Sequence, residues 1–324
     1  MNPVAISDAD WLDAAAALAA RGRPLSRPNP AVGALIVKDG RVIGRGWTRA
    51  GGRPHAEAEA LAQAGAGARG ATAYVTLEPC AHESPRGPAC AHSLREAGLG
   101  RVVIGCEDPD SRTAGAGIAL LRAAGIETTL LPSPAATRSL EGYLTRARLG
   151  RPHTTLKLAT SLDGCIAMAD GTSQWITGPA ARAHGHVQRA RSDAILVGGA
   201  TLRADSPRLD VRLPGLAARS PARWVLTRGT APAGWQAIAD PAKGRFDDAQ
   251  YLLIEGGAGA GAAFLAADRV DRLLLYRAPI LIGAGQPGLG DIGLSSLAEA
   301  HGRWQLSDQR RLGSDTLDVY DRIR

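Results

Sequence analysis

Apolar residues recur along this chain with two periods, one helical and one strand-like, and the two alternate. Over residues 8–21, Trp11, Leu12, Ala15 and Leu18 fall on one face of a helix that Asp8 can cap and Gly22 can end. Residues 34–38 and 41–47 read as strands joined at Asp39-Gly40, a strong hairpin signal. A helix over 56–64 follows, then a strand over 73–77, a helix over 90–97 and a strand over 102–106. Helix and strand repeat at 120–124 and 126–131. Two starting strands followed by alternating helix and strand predict an α/β sandwich with a mixed sheet.

Leu131-Pro132-Ser133-Pro134 breaks the pattern, and a helix over 143–149 runs into Gly150-Arg151-Pro152. The predicted domains are 1–147 and 148–324. The second opens with a strand over 154–160 and the turn Ser161-Leu162-Asp163-Gly164. A helix over 179–190 and strands over 194–197, 222–227, 251–254, 273–276 and 316–320 make it α/β again, while 228–249 carries little pattern. Between the strand at 251–254 and a helix-like run at 262–267 lies the glycine-rich stretch Glu255-Gly256-Gly257-Ala258-Gly259-Ala260-Gly261. Strand, glycine-rich turn and helix together place backbone N–H groups against a phosphate. Gly257-x-Gly259-x-x-Ala262 fits only a loose form of that pattern, and a flexible loop explains it equally well. The acidic residue of an NAD site, about 20 positions on, is missing; Arg277 stands nearby, which leaves a 2′-phosphate cofactor open.

A length of 324 residues suits two domains, and 45% hydrophobic residues supply a core for each. The net charge of +7 is spread without blocks of like sign. That spread argues against nucleic acid and suits a small anionic ligand. Neither a signal pattern nor an apolar run of membrane length occurs, and four Cys make no disulfide framework. A cytoplasmic protein with no membrane partner is expected. Lys157 sits in an otherwise apolar strand, as an edge residue or as a site residue.

The chemistry concentrates between His55 and Cys90. His55-Ala56-Glu57, Leu77-Glu78-Pro79-Cys80 and Cys90 supply one imidazole, two thiols and a carboxylate two residues past the His. Zinc deaminases bind their metal with such a His/Cys/Cys set and keep the Glu off the metal to move protons. Three protein ligands leave a fourth position for water, whose pKa the metal lowers to about 7. Pro79 before Cys80 suits a strand turning into a helix whose N-terminus keeps the thiolate ionised. The rival is a closed structural site, with His82 or His92 as fourth ligand. It leaves the His-Ala-Glu spacing without a purpose. Cys106 and Cys165 read as buried thiols.

Taken together, the motifs resemble the bifunctional deaminase–reductase family of riboflavin biosynthesis. In the first half these are Pro28-Asn29-Pro30-Ala31-Val32-Gly33, His55-Ala56-Glu57, Thr76-Leu77-Glu78-Pro79-Cys80 and Asp108-Pro109 before Ala114-Gly115. In the second they are Lys157, Ser161-Leu162-Asp163-Gly164, Gln174-Trp175-Ile176-Thr177, Ala204-Asp205-x-Pro207, Glu255-Gly256-Gly257 and Ala278-Pro279. The resemblance implies a cytidine-deaminase-like zinc domain followed by a dihydrofolate-reductase-like domain. It implies Zn2+ on His55, Cys80 and Cys90, proton transfer by Glu57, and NADPH as the reductant. By position it assigns deaminase substrate contacts to Asn29 and His82, with Arg86 standing for the family's usual Lys. It assigns the cofactor to Lys157, Ala159, Trp175, Thr201, Asp205 and the run Gly257, Ala258, Gly259, Ala260, Gly261, Ala262 and Ala263. Ser173, Arg189, Leu209, Arg212 and Glu255 match reductase substrate positions, the two arginines as a charge-assisted phosphate clamp. The expected partner is a small phosphorylated pyrimidine, and the expected assembly a homo-oligomer, dimer or tetramer.

Three departures qualify the match. The loop between Cys80 and Cys90 is one residue longer than the family's common form. Thr48 stands where a His is common. The segment between Arg212 and Glu255 is short by about one strand–helix unit, which thins the wall for the cofactor's adenine end and makes a deaminase-only protein the first alternative. A tRNA deaminase shares the zinc motif but uses shorter Cys spacing and needs aromatic platforms, which the first domain lacks. A zinc-stabilised scaffold without activity is the third reading.

Overall fold

The computed structural model describes residues 6–82 and 84–324. Two compact units, Met1–Arg151 and Pro152–Arg324, divide the chain. The first comprises α1 (Asp8–Ala19), β1 (Gly33–Lys38), β2 (Arg41–Trp47), α2 (Ala56–Ala64), β3 (Thr72–Val75), α3 (Cys90–Glu96), β4 (Arg101–Ile104), α4 (Ala116–Ala123), β5 (Glu127–Leu130), α5 (Pro134–Ser139) and α6 (Glu141–Leu149). Its sheet runs β2-β1-β3-β4-β5. β1 is antiparallel to β2 and β3, and β3, β4 and β5 are parallel.

Alternate residues of these strands feed two cores, as the pleat requires. Ile36, Val75, Val102 and Ile104 pack with Ala56 and Ala60 of α2, Leu94 of α3 and Leu121 of α4. Leu35, Val37, Tyr74 and Val103 pack with Leu12 and Ala15 of α1 on the other face. Asp39 and Gly40, both at positive φ (51° and 70°), make the hairpin turn. The cap of α1 differs from expectation. Ser7 Oγ accepts from the Asp10 amide at 3.3 Å and Asp10 accepts from the Ser7 amide at 2.9 Å. That frees the Asp8 carboxylate for Tyr74 Oη (2.7 Å) and the Arg101 guanidinium (2.8 and 3.0 Å).

Glycines let α2 lie directly on β2. A Cβ at Gly44 or Gly46 would come within 2.1 Å of the Ala60 or Ala56 carbonyl oxygen. Gly46→Ala is expected to lower stability by about 1–3 kcal/mol, the usual cost of overpacking, in urea unfolding followed by fluorescence. Because α2 carries His55 at its start, the same substitution should weaken zinc affinity.

The second unit comprises β6 (His153–Thr160), β7 (Cys165–Ala167), α7 (Pro179–Ala190), β8 (Ala194–Gly198), α8 (Gly199–Asp205), β9 (Ala222–Leu226), β10 (Gln236–Ile238), β11 (Tyr251–Glu255), α9 (Ala258–Ala266), β12 (Arg272–Arg277), β13 (Gln286–Pro287), β14 (Trp304–Leu312) and β15 (Asp315–Arg322). Its large sheet runs β10-β9-β8-β11-β6-β12-β15-β14. The first six of these strands are parallel, and β15 and β14 close it antiparallel. Lys157 therefore lies on a central strand, opposite Glu255 of β11 and Leu274 of β12, which removes the edge-residue alternative. The glycine-rich stretch is not a loop before a later helix, because α9 already starts at Ala258, with Gly257 as its N-cap at φ 79°. Among the described residues no helix is long and apolar enough to cross a membrane.

Candidate active site

Three elements of the first unit converge on one point. His55 is the N-cap of α2, in extended conformation (φ −72°, ψ 161°), so its ring projects from the helix start. Cys90 is the first residue of α3. Cys80 is not at a helix start, contrary to expectation: it lies in the irregular segment after β3. Pro85, Gly87 and Pro88 keep the chain out of helix until Cys90, so the favourable helix N-terminus serves the second thiol. The Cys90 amide donates to Cys80 Sγ at 3.3 Å. His55 Nδ1 lies 3.3 Å from Cys90 Sγ and 3.7 Å from Cys80 Sγ. Zn–N of about 2.0–2.1 Å and Zn–S of about 2.3 Å in a tetrahedron would hold such atoms about 3.6 Å apart, so the donor set fits zinc in type and spacing. Neither His82 nor His92 joins this group.

The ionisation of the site follows from its burial. The hydrogen bond from the Cys90 thiol holds Cys80 well below the usual thiol range, with His55 adding to it. The same bond, with burial, pushes Cys90 up. Glu57, in the first turn of α2 and 4% exposed, has its carboxyl raised chiefly by burial. A carboxyl poised above its ordinary value can both take and return a proton. Asn29 Nδ2 lies 3.2 Å from His55 Nε2, the ring nitrogen turned away from the thiols.

These groups open on a cavity of about 240 Å³ lined also by His82, Arg86, Asp108, Asp110, Arg112 and Tyr143. In the second unit a larger cleft of about 640 Å³ is lined by β6, by residues between 171 and 177, by Ala200 and Thr201 of α8, and by Gly256, Gly257 and the first residues of α9, Ala258 and Gly259. A Cβ on Gly257 would come within 2.6 Å of Thr201 Oγ1, so glycine is required where this residue meets α8. Arg182 stacks over the exposed Trp175 ring at 4.8 Å.

Comparison with known proteins finds matches to both units. Residues 6–106 match the cytidine and deoxycytidylate deaminase zinc-binding region, and residues 152–236 and 246–317 match the RibD C-terminal domain. The riboflavin biosynthesis protein RibD of Haemophilus influenzae is 37% identical over 97% of both chains. That of Mycobacterium tuberculosis is 40% identical over 90% of both. The chain belongs to the RibD family. Two solved relatives share the whole architecture. Acinetobacter baumannii RibD superposes with a TM-score of 0.85 at 35% identity, covering 98% of this chain and 99% of its own. A diaminohydroxyphosphoribosylaminopyrimidine deaminase/5-amino-6-(5-phosphoribosylamino)uracil reductase from Thermotoga maritima does so with a TM-score of 0.84 at 28% identity and the same coverage. As a RibD-family member the chain is a bifunctional deaminase and reductase of riboflavin biosynthesis, with a cytidine-deaminase-like zinc domain and a dihydrofolate-reductase-like domain.

Against this RibD frame, the structure gathers some of the sequence-predicted residues and leaves others apart. Asn29, His55, Glu57, Cys80, His82 and Arg86 share the first cavity, with Cys90 buried behind it. Arg86 donates to the Gly51 carbonyl at 2.6 Å, and His82 Nδ1 is 3.3 Å from Thr113 Oγ1. Thr48 is buried, its hydroxyl accepts from the Val32 amide at 3.0 Å, and it lines the same cavity. Lys157, Ala159, Ser173, Trp175, Thr201, Asp205, Gly257, Ala258 and Gly259 share the cleft of the second unit. Ala260, Gly261, Ala262 and Ala263 do not line it. They continue α9, and Gly261 packs against Leu156 and Leu289. Arg189, Leu209, Arg212 and Glu255 also stay out of the lining. Arg189 is consumed by a bidentate pair with Glu255 (2.8 Å on each arm) and donates to the Asp210 carbonyl at 3.0 Å. Leu209 is buried, and Arg212 sits 3.6 Å from Asp210 on the surface. Sequence reasoning missed Asp110, Arg112, Tyr143 and Arg182. Only Asp108-Pro109 had a signal, as a motif without a role.

Proposed function

We propose that the first unit hydrolyses the 2-amino group of 2,5-diamino-6-ribosylamino-4-pyrimidinone 5′-phosphate and the second reduces the ribosyl chain of the product to ribityl with NADPH. The observation that carries this reading is the His55, Cys80 and Cys90 group, with His55, Cys80 and the buried Glu57 on one cavity and Cys90 directly behind it. Both activities named for the Thermotoga maritima relative fit it. In this reading His55, Cys80 and Cys90 hold zinc, which when bound makes hydroxide available near neutral pH. Glu57 takes the proton of the attacking water and passes it to the departing nitrogen, leaving as ammonia. Its burial keeps solvent from exchanging that proton midway. Asn29 and His82 orient the pyrimidine, and Arg86 at the rim attracts the phosphate.

In the second unit, NADPH when bound would supply the hydride for this reduction. Lys157 and Ala159 on β6, Thr201 on α8 and the start of α9 at Gly257, Ala258 and Gly259 would hold it along the cleft. Trp175 offers an apolar face, made rigid by the Arg182 guanidinium stacked on it. Trp175→Ala is expected to raise the KM for NADPH about tenfold, roughly the loss of one stacked aromatic contact, in initial-rate assays. The assembly we propose is a homo-oligomer, dimer or tetramer, acting on a small molecule without nucleic acid.

Zinc-loaded protein should release ammonia from the diaminopyrimidinone phosphate and oxidise NADPH once the deaminated product is supplied. Chelation should stop the first and leave the second. Ammonia release unaffected by metal removal would overturn the deaminase assignment, and no NADPH oxidation with the deaminated product would overturn the reductase one.

A further inference from the structure

We propose that Glu78 is a positioning residue of the deaminase unit, the template on which residues 108–118 fold so that Asp108 and Asp110 reach the substrate cavity. This rests on the deaminase reading above and adds a role for a residue that neither metal nor proton chemistry uses.

A buried carboxylate is costly unless its lone pairs are taken, and those of Glu78 are taken by backbone. Glu78 is 3% exposed. Its Oε2 accepts from the amides of Asp108 (3.4 Å) and Gly115 (3.0 Å), and its Oε1 accepts from the amide of Ile118 (3.1 Å). Gly115 and Ile118 belong to the N-cap and first turn of α4, where unpaired amides and the helix dipole favour an anion. One side chain thus pins both ends of a segment that carries no strand or helix from Asp108 to Gly115.

The segment delivers side chains to the cavity. Asp108 Oδ1 accepts from Tyr143 Oη (2.7 Å) and from the Asp110 amide (3.0 Å). Asp110 holds the Arg112 guanidinium against its carboxylate (2.5 Å). All of them, with Glu78, line the cavity that His55, Glu57 and Cys80 also line. The close fit has a second signature. A Cβ at Gly117 would come within 2.1 Å of the Pro79 carbonyl oxygen and 3.2 Å of Glu78 Oε1, so α4 meets the Pro79 backbone and the Glu78 carboxylate at a residue without a side chain. The Glu78 amide donates to the Cys106 carbonyl at 2.8 Å, which fixes the carboxylate's own origin to the chain two residues past β4.

Glu78→Gln keeps the shape but turns one accepting oxygen into a donor facing an amide. Glu78→Asp keeps the charge and shortens the reach. Gly117→Ala pushes α4 away from the Pro79 carbonyl and crowds Glu78 Oε1 without changing the carboxylate's chemistry. The test uses the zinc-loaded full chain, hydrogen exchange read at single amides, zinc content and steady-state kinetics. For Glu78→Gln the amides of Asp108, Gly115 and Ile118 should exchange at least about tenfold faster. The KM for deamination should rise about tenfold or more, within the roughly 100-fold that a misplacement of about 1 Å can cost, with kcat falling less. One zinc per chain and NADPH oxidation should be retained. Gly117→Ala should shift exchange and KM in the same direction, and Glu78→Asp should recover part of both.

Unchanged exchange at the three amides overturns the proposal, as does loss of zinc in step with activity, which would make Glu78 a support of the metal instead. If Glu78→Gln does not fold, Glu78→Asp and Gly117→Ala carry the test, and native exchange in both overturns it. Should the wild-type chain release no ammonia, the deaminase reading fails while amide exchange still decides whether Glu78 holds the segment.

Discussion

Replacing Glu57 by Gln is expected to lower the rate of ammonia release by about 10²–10⁴-fold, the range that a positioned proton carrier contributes. Gln fills the same space at a position 4% exposed, so α2 keeps its start and the zinc ligands keep their places. The amide cannot take a proton from water, and it has none to return to the leaving nitrogen. Zinc content by atomic absorption should stay at one per chain, and NADPH oxidation should match wild type. A rate within about threefold of wild type would mean that another group moves the proton.

Breaking the Arg189–Glu255 pair should have the largest effect on stability. Glu255 is 7% exposed, its two oxygens each 2.8 Å from the Arg189 guanidinium, with Lys157 Nζ at 4.0 Å. Burial pushes the Glu255 carboxyl up, but the Arg189 hydrogen bonds and the charges of Lys157 and Arg189 outweigh it and hold it below the ordinary range. Removing one partner of such a pair strands the other charge, at a cost of about 3–5 kcal/mol. Glu255→Gln should lower the urea midpoint of the second unit accordingly and impair NADPH oxidation, while ammonia release persists. A loss below about 1 kcal/mol would show that Arg189 finds water or Asp210 in its place.

The elements that the sequence pattern located are those whose signals are local. Asp39-Gly40 marks its hairpin because only certain residues accept positive φ at both turn positions. The helix over 179–190 and the strand over 251–254 have the period or the apolar run that burial imposes. Other elements lack such signals. β14 is an edge strand with most residues exposed, so Trp304–Leu312 shows no alternation. α8 begins on two glycines and buries nothing, and α5 has six residues. The zinc set was legible because metal chemistry restricts residue type and spacing. Pairings such as Arg189 with Glu255 or Asp108 with Tyr143 were not, since each joins distant residues whose types are common on surfaces. Resemblance gave Arg189 and Glu255 as substrate contacts, and the fold shows what they do to each other.

The central claim is that one imidazole and two thiolates hold zinc and leave a coordination position for water beside Glu57. X-ray absorption at the zinc edge tests it on the full-length protein. The expected spectrum shows two sulfur neighbours at about 2.3 Å, one imidazole nitrogen at about 2.0–2.1 Å and one oxygen that an added anion displaces. A second imidazole in the fourth position, from His82 or His92, would contradict it.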